Sequence, residues 1–284
     1  MIVHLNGEYL EKIYASVSVD DRGFYFADGV YEVIRFYKGQ SFDMESHLVR
    51  LKNSLNEIRL NYENIGQIPE ICHELICMNH LKSKHASIYI QITRGIAPRV
   101  HHIPKEKLKP TFFASAHEFN PLRNELENGV SIISGEDIRW TRCDIKSIGL
   151  LPNTLSIQSA YEKNAHEFLF VRNGMITEAS HSNFFAKIEG KFYTAPLSNY
   201  ILAGVTRKNV LNVCKKIGIE VFEKYISVDD IAKIEEAFLS STREEVMPVI
   251  KIDDFEIGNG KPGEQTLRIQ KEFFAITYDR YGGM

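Results

Sequence analysis

Three short runs of this chain hold residues whose types and spacing suit chemistry. The first is Ile138-Arg139-Trp140-Thr141-Arg142-Cys143-Asp144-Ile145-Lys146-Ser147, set between the apolar run Val130-Ser131-Ile132-Ile133 and Ile148-Gly149-Leu150-Leu151-Pro152. On its residues alone it reads as an edge strand whose charges discourage pairing with other chains. The sharper reading is that Lys146, held between apolar neighbours, is desolvated; that lowers an amine's pKa and makes it a nucleophile or Schiff-base lysine. The second run, Ile201-Leu202-Ala203-Gly204-Val205-Thr206-Arg207, is a glycine turn opening a helix. The first N–H groups of a helix and the Thr206 hydroxyl suit a phosphate, although any Gly-x-Thr helix start looks the same. Arg50 and Ser241-Thr242 are candidates to complete that cradle. The third run is Met175-Ile176-Thr177-Glu178-Ala179-Ser180-His181-Ser182-Asn183. Taken alone, Glu178 is a solvated loop acid; its chemical use would be to keep a heteroaromatic nitrogen protonated, turning a pyridine ring into an electron sink.

The elements that must position these runs show in the pattern of apolar residues and turns. Asn6-Gly7, Lys38-Gly39, Asn173-Gly174 and Glu189-Gly190 each separate two strand-like runs, as two-residue hairpin turns do. Residues 86–92 alternate and are β-branched, so they read as a further strand. Hairpin strands are antiparallel, because a two-residue loop cannot make a parallel crossover. Helices are expected over 46–59, with Leu48, Leu51, Leu55 and Ile58 on one stripe and His47, Arg50 and Ser54 opposite, and over 153–166, 206–217 and 228–236. A helix over 69–81 would pack Ile71, Leu75, Ile76 and Met78 inward; His73, Cys77 and His80 share one of its faces but lack a recognised metal-ligand spacing. The pattern changes near Asn120-Pro121. We therefore expect a smaller N-terminal α/β domain over 1–119, a larger barrel-like α/β domain over 120–284, mixed and mainly antiparallel sheets (an α+β type of α/β fold), and a site between the domains.

Composition narrows the classes of function. The 284 residues are 44% hydrophobic and 25% charged, an ordinary globular balance. Lys and Arg total 34 against 37 Asp and Glu, and no basic cluster stands out, which argues against nucleic acid as a partner. No apolar run has bilayer length and the first residues break into a turn, so a cytoplasmic protein without a membrane partner is expected. Cys72, Cys77, Cys143 and Cys214 lack CxxC spacing and read as reduced thiols.

Four co-linear motifs then join the separate readings. They are Asp20-Asp21-Arg22-Gly23 with Gly29-Val30-Tyr31-Glu32, Arg142 to Ser147, Thr177-Glu178-Ala179-Ser180-x-Ser182-Asn183, and Leu202-x-Gly204-Val205-Thr206-Arg207. Together they resemble the fold-type IV pyridoxal-phosphate aminotransferases over essentially the whole chain. Thr93 to His102 looks like the substrate-carboxylate loop of the branch of that family that acts on D-amino acids. The resemblance implies a two-domain fold, pyridoxal 5′-phosphate as cofactor, and a homodimer. It also implies ping-pong transfer of the amino group from D-amino acids such as D-alanine to 2-oxoglutarate, giving a 2-oxo acid and D-glutamate. Lys146 matches the catalytic lysine that binds the cofactor and shuttles the proton. Glu178 matches the acid facing the pyridine nitrogen, and Arg50, Val205, Thr206 and Thr242 match phosphate-binding positions. Tyr31, Arg99 and His101 match the trap for the substrate's α-carboxylate, the last two reaching in from the neighbouring subunit. An L-branched-chain aminotransferase or an aminodeoxychorismate lyase would share the lysine, the glutamate and the phosphate residues; the pairing of Arg99 with His101 is what separates them. The chain departs from the pattern at His181, where a serine is typical, and at Arg243, where a small hydroxyl residue is expected. His47 and His102 are read as structural.

Overall fold

The computed structural model describes residues 1–280, so residues 281–284 of the expected second domain lie outside the described residues. The chain divides into two compact units, the first built from Met1–Asn120 with Ile145–Leu150, the second from Pro121–Asp144 and the chain from Leu151 on. A single cut before residue 120 would place Lys146 in the second unit; its segment instead packs with the first.

In the first unit the elements are β1 (Ile2–Leu5), β2 (Glu8–Glu11), α1 (Arg22–Phe26), β3 (Gly29–Tyr37), β4 (Gln40–Ser41), α2 (Met44–Glu57), α3 (Ile68–Met78), β5 (Ala86–Thr93) and β6 (Thr111–Glu118). The strands form an antiparallel sheet in the order β2-β1-β6-β5-β3-β4. Both hairpin turns have positive φ at their two central residues, Asn6 and Gly7 and then Lys38 and Gly39, the geometry a type I′ turn demands. Leu51 and Leu55 of α2, with Ile68, Ile71, Cys72, Leu75 and Ile76 of α3, pack in one core with Ile34, Ile88, Ile90 and Ile92 of the sheet. Within α3 Cys72 is buried along with the four apolar residues Ile68, Ile71, Leu75 and Ile76, while Met78, expected inside, is 40% exposed. Ile145 belongs to the same core; burying such a side chain contributes about 1.5–3 kcal/mol, which anchors the segment bearing Lys146.

The second unit contains α4 (Arg123–Asn128), β7 (Val130–Glu136), α5 (Leu151–Glu162), β8 (Glu167–Arg172), β9 (Met175–Ala179), β10 (Asn183–Ile188), β11 (Lys191–Thr194), α6 (Val205–Lys216), β12 (Val221–Glu223), β13 (Ile226–Ser227), β14 (Glu236–Ser241), β15 (Glu245–Ile252), β16 (Phe255–Glu256) and α7 (Glu264–Ala275). Its sheet runs β12-β11-β10-β14-β15-β7-β8-β9-β13, with β16 paired to β15. It is mixed: β11 with β12, β15 with β7, and β7 with β8 are parallel, the first and last of these crossovers made by α6 and α5. The mixed, mainly antiparallel character expected from the hairpins therefore holds.

Two local expectations fail. Residues 138–147 form no strand; turns and bends take their place, because Arg139 is drawn into buried ion pairs that a ladder would not permit. Residues 228–236 are not one helix: a 3-10 segment spans Val228–Lys233, Ile234 is extended, and Glu236 opens β14. Among the described residues no helix is long and apolar enough to cross a membrane.

Candidate active site

In the first unit, α2 presents its polar stripe to β3 and to Lys146. His47, Arg50 and Ser54 stand at i, i+3 and i+7, one side of a helix. Arg50 Nε and Nη2 donate to the two oxygens of Glu32 at 2.7 and 2.8 Å, and His47 Nδ1 lies 2.8 Å from Glu32 Oε2. Glu32 is fully buried; burial alone would raise its carboxyl, but Arg50 and His47 overcome that and hold it well below the ordinary range. A bidentate clamp of this kind fixes the plane of the Arg50 guanidinium. Burial pushes the His47 imidazole below its ordinary value, against the pull of Glu32.

Ser54 Oγ accepts the Lys146 N–H at 3.2 Å, and the Lys146 carbonyl accepts from Tyr31 N at 3.0 Å. Val30 and Ser147 form an antiparallel bridge beside them. The half-buried Lys146 side chain places Nζ 4.2 Å from the centre of the Tyr31 ring, which is stacked in turn on Tyr89. A cation over an aromatic face is favourable, so the ring orients the amine without consuming its protons.

The remaining residues expected to hold a carboxylate, Arg99 and His101, meet at one aromatic. Arg99 Cζ lies 5.4 Å from the centre of the Phe26 ring, and the His101 and Phe26 rings are 5.5 Å apart. Both side chains are exposed. Their loop is fastened at its base: Arg22 Nη1 donates to the Val100 carbonyl at 2.7 Å, and Arg22 and Arg94 share Asp28.

In the second unit Glu178, at 5% exposure, is the centre of a buried polar network. Its Oε1 accepts from Arg139 Nη1 at 2.6 Å; its Oε2 accepts from Asn183 Nδ2 and from the Leu202 N–H, each at 3.0 Å. Arg139 is gripped on its other side by Asp137 and lies 4.1 Å from the centre of the Phe170 ring. Burial pushes the Glu178 carboxyl above its ordinary range, and Arg139 with the Leu202 N–H pulls it back. Burial would lower Arg139, but Asp137 and Glu178 carry it above its ordinary value. Arg139 is therefore the chief group favouring the charged form of a carboxylate this deep, and it offsets only part of the upward push of burial. Sequence reasoning missed that role, although the density of charge in residues 138–147 was its signal.

The Leu202–Gly204 loop leads from Glu178 to the N-terminus of α6. Gly204 is the N-cap and no side chain caps the helix; Val205 and Thr206 follow, both buried. A Cβ on Gly204 would stand 2.0 Å from Asn183 Oδ1, so only glycine fits this approach. Asn183 pairs in register with Ser240 of β14, and cross-strand partners share a face. Ser182 Oγ and Ser240 Oγ are buried without a hydrogen-bond partner. Thr242 is half-buried in the turn that follows β14. These features suit a ligand with a protonatable aromatic nitrogen at one end and an anion at the other. Three of the roughly four acceptor sites of a carboxylate are occupied on Glu178, leaving about one for such a nitrogen.

Next to this network lies a second one. His181 sets Nδ1 2.5 Å from Glu167 Oε2 and Nε2 3.2 Å from Glu244 Oε1, and Glu244 Oε2 lies 2.8 Å from His166 Nε2. Burial would lower His181, but the two carboxylates carry it up to about 10; burial would raise Glu244, but His166 and His181 bring it down to about 2. The stability from His181 is thus fully present below its ordinary value of 6.5 and is lost as pH rises through about 10. That from Glu244 is present above 4.5 and is lost as pH falls towards about 2. The His181 ring is 40% exposed, so water screens part of the effect. Melting curves of the protein and its His181→Gln variant should differ most near about pH 5–6 and converge towards about pH 10; a gap independent of pH would contradict the assignment.

The family model for amino-transferase class IV matches residues 29–252. The D-alanine aminotransferase of Staphylococcus haemolyticus is 39% identical over 272 residues, 95% of this chain and 96% of that protein. That of Bacillus licheniformis is 38% identical over 271 residues, 95% of each. Among solved structures, the branched-chain amino acid aminotransferase from Escherichia coli superposes with a TM-score of 0.89 at 26% identity, covering 97% of this chain and 94% of that one. A second branched-chain amino acid aminotransferase (T.th.), determined with pyridoxamine 5′-phosphate, superposes with a TM-score of 0.87 at 24% identity, over 97% and 94%, a likeness of fold.

Proposed function

This chain belongs to the amino-transferase class IV family, and from that premise we propose that it is a D-amino-acid transaminase of the cytoplasm. It moves the amino group of D-alanine and other D-amino acids to 2-oxoglutarate, releasing a 2-oxo acid and D-glutamate in ping-pong fashion. Pyridoxal 5′-phosphate, when bound, supplies an electrophilic carbon and a ring that accepts electrons.

The chain's own residues do the rest. Lys146 would hold the cofactor through its amine, and its Nζ would be the general base that takes the proton from the substrate's Cα and gives it back across the nitrogen bonded to that carbon. Glu178, whose charged form Arg139 favours, would keep the ring nitrogen protonated. The N–H groups at Val205 and Thr206 would bind the phosphate as helix N-termini bind anions, and Thr242 and Arg50 are the further residues assigned to it. Tyr31 orients Lys146 and, with Arg99 and His101, receives the substrate carboxylate. Arg99 and His101 serve the site of a second copy of the chain, so the active form is a homodimer.

The observation that carries the D-amino-acid reading is the pairing of Arg99 and His101 on Phe26, two groups able to bear positive charge at i, i+2 on one fastened loop. Charge-assisted bonds are what a carboxylate requires there. An Arg99→Ala variant should keep its cofactor while kcat/KM for D-alanine falls by about 10²-fold, the effect of losing roughly 3 kcal/mol of such bonding. Undiminished D-alanine turnover would remove the carboxylate-trap role. The 0.89 superposition on a branched-chain enzyme is what favours the second reading, an L-branched-chain aminotransferase.

A further inference from the structure

His181 does more than fill a turn. Both of its ring nitrogens face carboxylate oxygens, Nδ1 towards Glu167 and Nε2 towards Glu244. An ionised carboxylate only accepts, so satisfying both contacts requires both nitrogens to donate, and the ring is an imidazolium. Neither carboxylate has any side-chain exposure. The groups that face His181 are Glu167 at the start of β8, the Ser180 hydroxyl, 3.2 Å from Nδ1, and Glu244 with Arg243 in the turn between β14 and β15; His166 shares Glu244 from the other side.

Each carboxylate also grips a turn. Glu167 accepts the Ser180 and His181 N–H groups at 3.2 and 3.4 Å and the Ser180 hydroxyl. Glu244 belongs to the turn whose backbone closes on Ser241 Oγ, with Glu244 N at 3.0 Å. The imidazolium thus ties the turn after Glu178 to the turn after β14. Beside those two turns sit the buried, unpartnered hydroxyls of Ser182 and Ser240.

We propose that His181 is a positioning residue for cofactor binding: its imidazolium staples the Ser180–Ser182 turn to the Ser241–Glu244 turn, holding Ser182, Ser240 and Thr242 at the spacing the anionic end of the cofactor needs. The inference rests on the functional reading above. Its physical content is charge compensation. A neutral side chain at 181 leaves two buried carboxylates close together with one fewer cation between them, and the turns part or a proton must be taken up. Removing one of the negative charges as well should relieve that conflict, whereas a purely space-filling role would not be relieved.

The test is titration of the apoenzyme with pyridoxal phosphate, followed by absorbance, for the unaltered protein, His181→Gln, and His181→Gln/Glu244→Gln, with circular dichroism as the check on folding. We expect the single variant to bind about 10-fold more weakly or more and the double variant to recover to within about 3-fold of the unaltered protein. If the single variant fails to fold, a double variant that folds and binds supports charge compensation equally. A single variant that binds as tightly as the unaltered protein, or a double variant as impaired as the single, overturns the proposal while leaving the functional reading in place. An unaltered protein that takes up no cofactor overturns the functional reading, and this inference with it.

Discussion

Replacing Lys146 with alanine should lower transamination by about 10³-fold or more, since the substitution removes both the amine that holds the cofactor and the base that moves the Cα proton. Within the first unit the amine's Nζ sits over the Tyr31 ring, which cannot take over the Schiff-base role of an amine. The fold should tolerate the change. The segment is anchored by the buried Ile145 and by backbone bonds to Ser54 Oγ and Tyr31 N, none of which involves the Lys146 side chain. Melting should therefore shift little while the visible band of covalently held cofactor disappears. A variant retaining more than a few per cent of activity would mean that another group does the proton transfer.

Glu178→Gln is the second large effect. An opposite charge within a few ångströms raises the pKa of a bound base by about 1–3 units, so its loss lowers the protonated fraction of a ring nitrogen by roughly 10- to 10³-fold. We expect turnover to fall by about 10²-fold, with Arg139 still held by Asp137 and the backbone still folded. The amide also brings an N–H2 group to a place where Arg139, Asn183 and Leu202 all donate, so one of those contacts must break. Steady-state turnover measured beside the cofactor's absorbance separates lost chemistry from lost binding; full turnover in a cofactor-replete variant would show that the carboxylate is not needed at the ring.

How much of this was legible in the sequence follows from how local each feature is. The hairpins were, because two central residues with positive φ demand Asn-Gly, Lys-Gly or Glu-Gly where they occur. The α2 stripe was as well, since i, i+3, i+7 spacing is a property of the helix alone. Strand β15 is different: Pro248 argues against a central strand, yet it stands opposite Phe238 where β7's ladder on the other side begins only at Val249, so its missing N–H interrupts no bond there. Arg139 shows the limit most clearly. Its partners include Asp137, two residues away, and Glu178, thirty-nine residues away, and only the folded second unit brings the latter within reach. The same holds for His181, whose charge is set by Glu167 and Glu244. Arg50 was expected at a phosphate; the structure adds that Glu32 clamps it, a partner eighteen residues away that no spacing rule connects.

The most direct test of the central claim is the visible spectrum of the purified protein, recorded before and after adding D-alanine or L-leucine separately, with no oxo acid present. The D-amino-acid transaminase reading predicts a cofactor band that bleaches with D-alanine and persists with L-leucine. Bleaching by L-leucine alone would transfer the function to the branched-chain alternative, and no band even after pyridoxal phosphate is supplied would contradict the cofactor assignment itself.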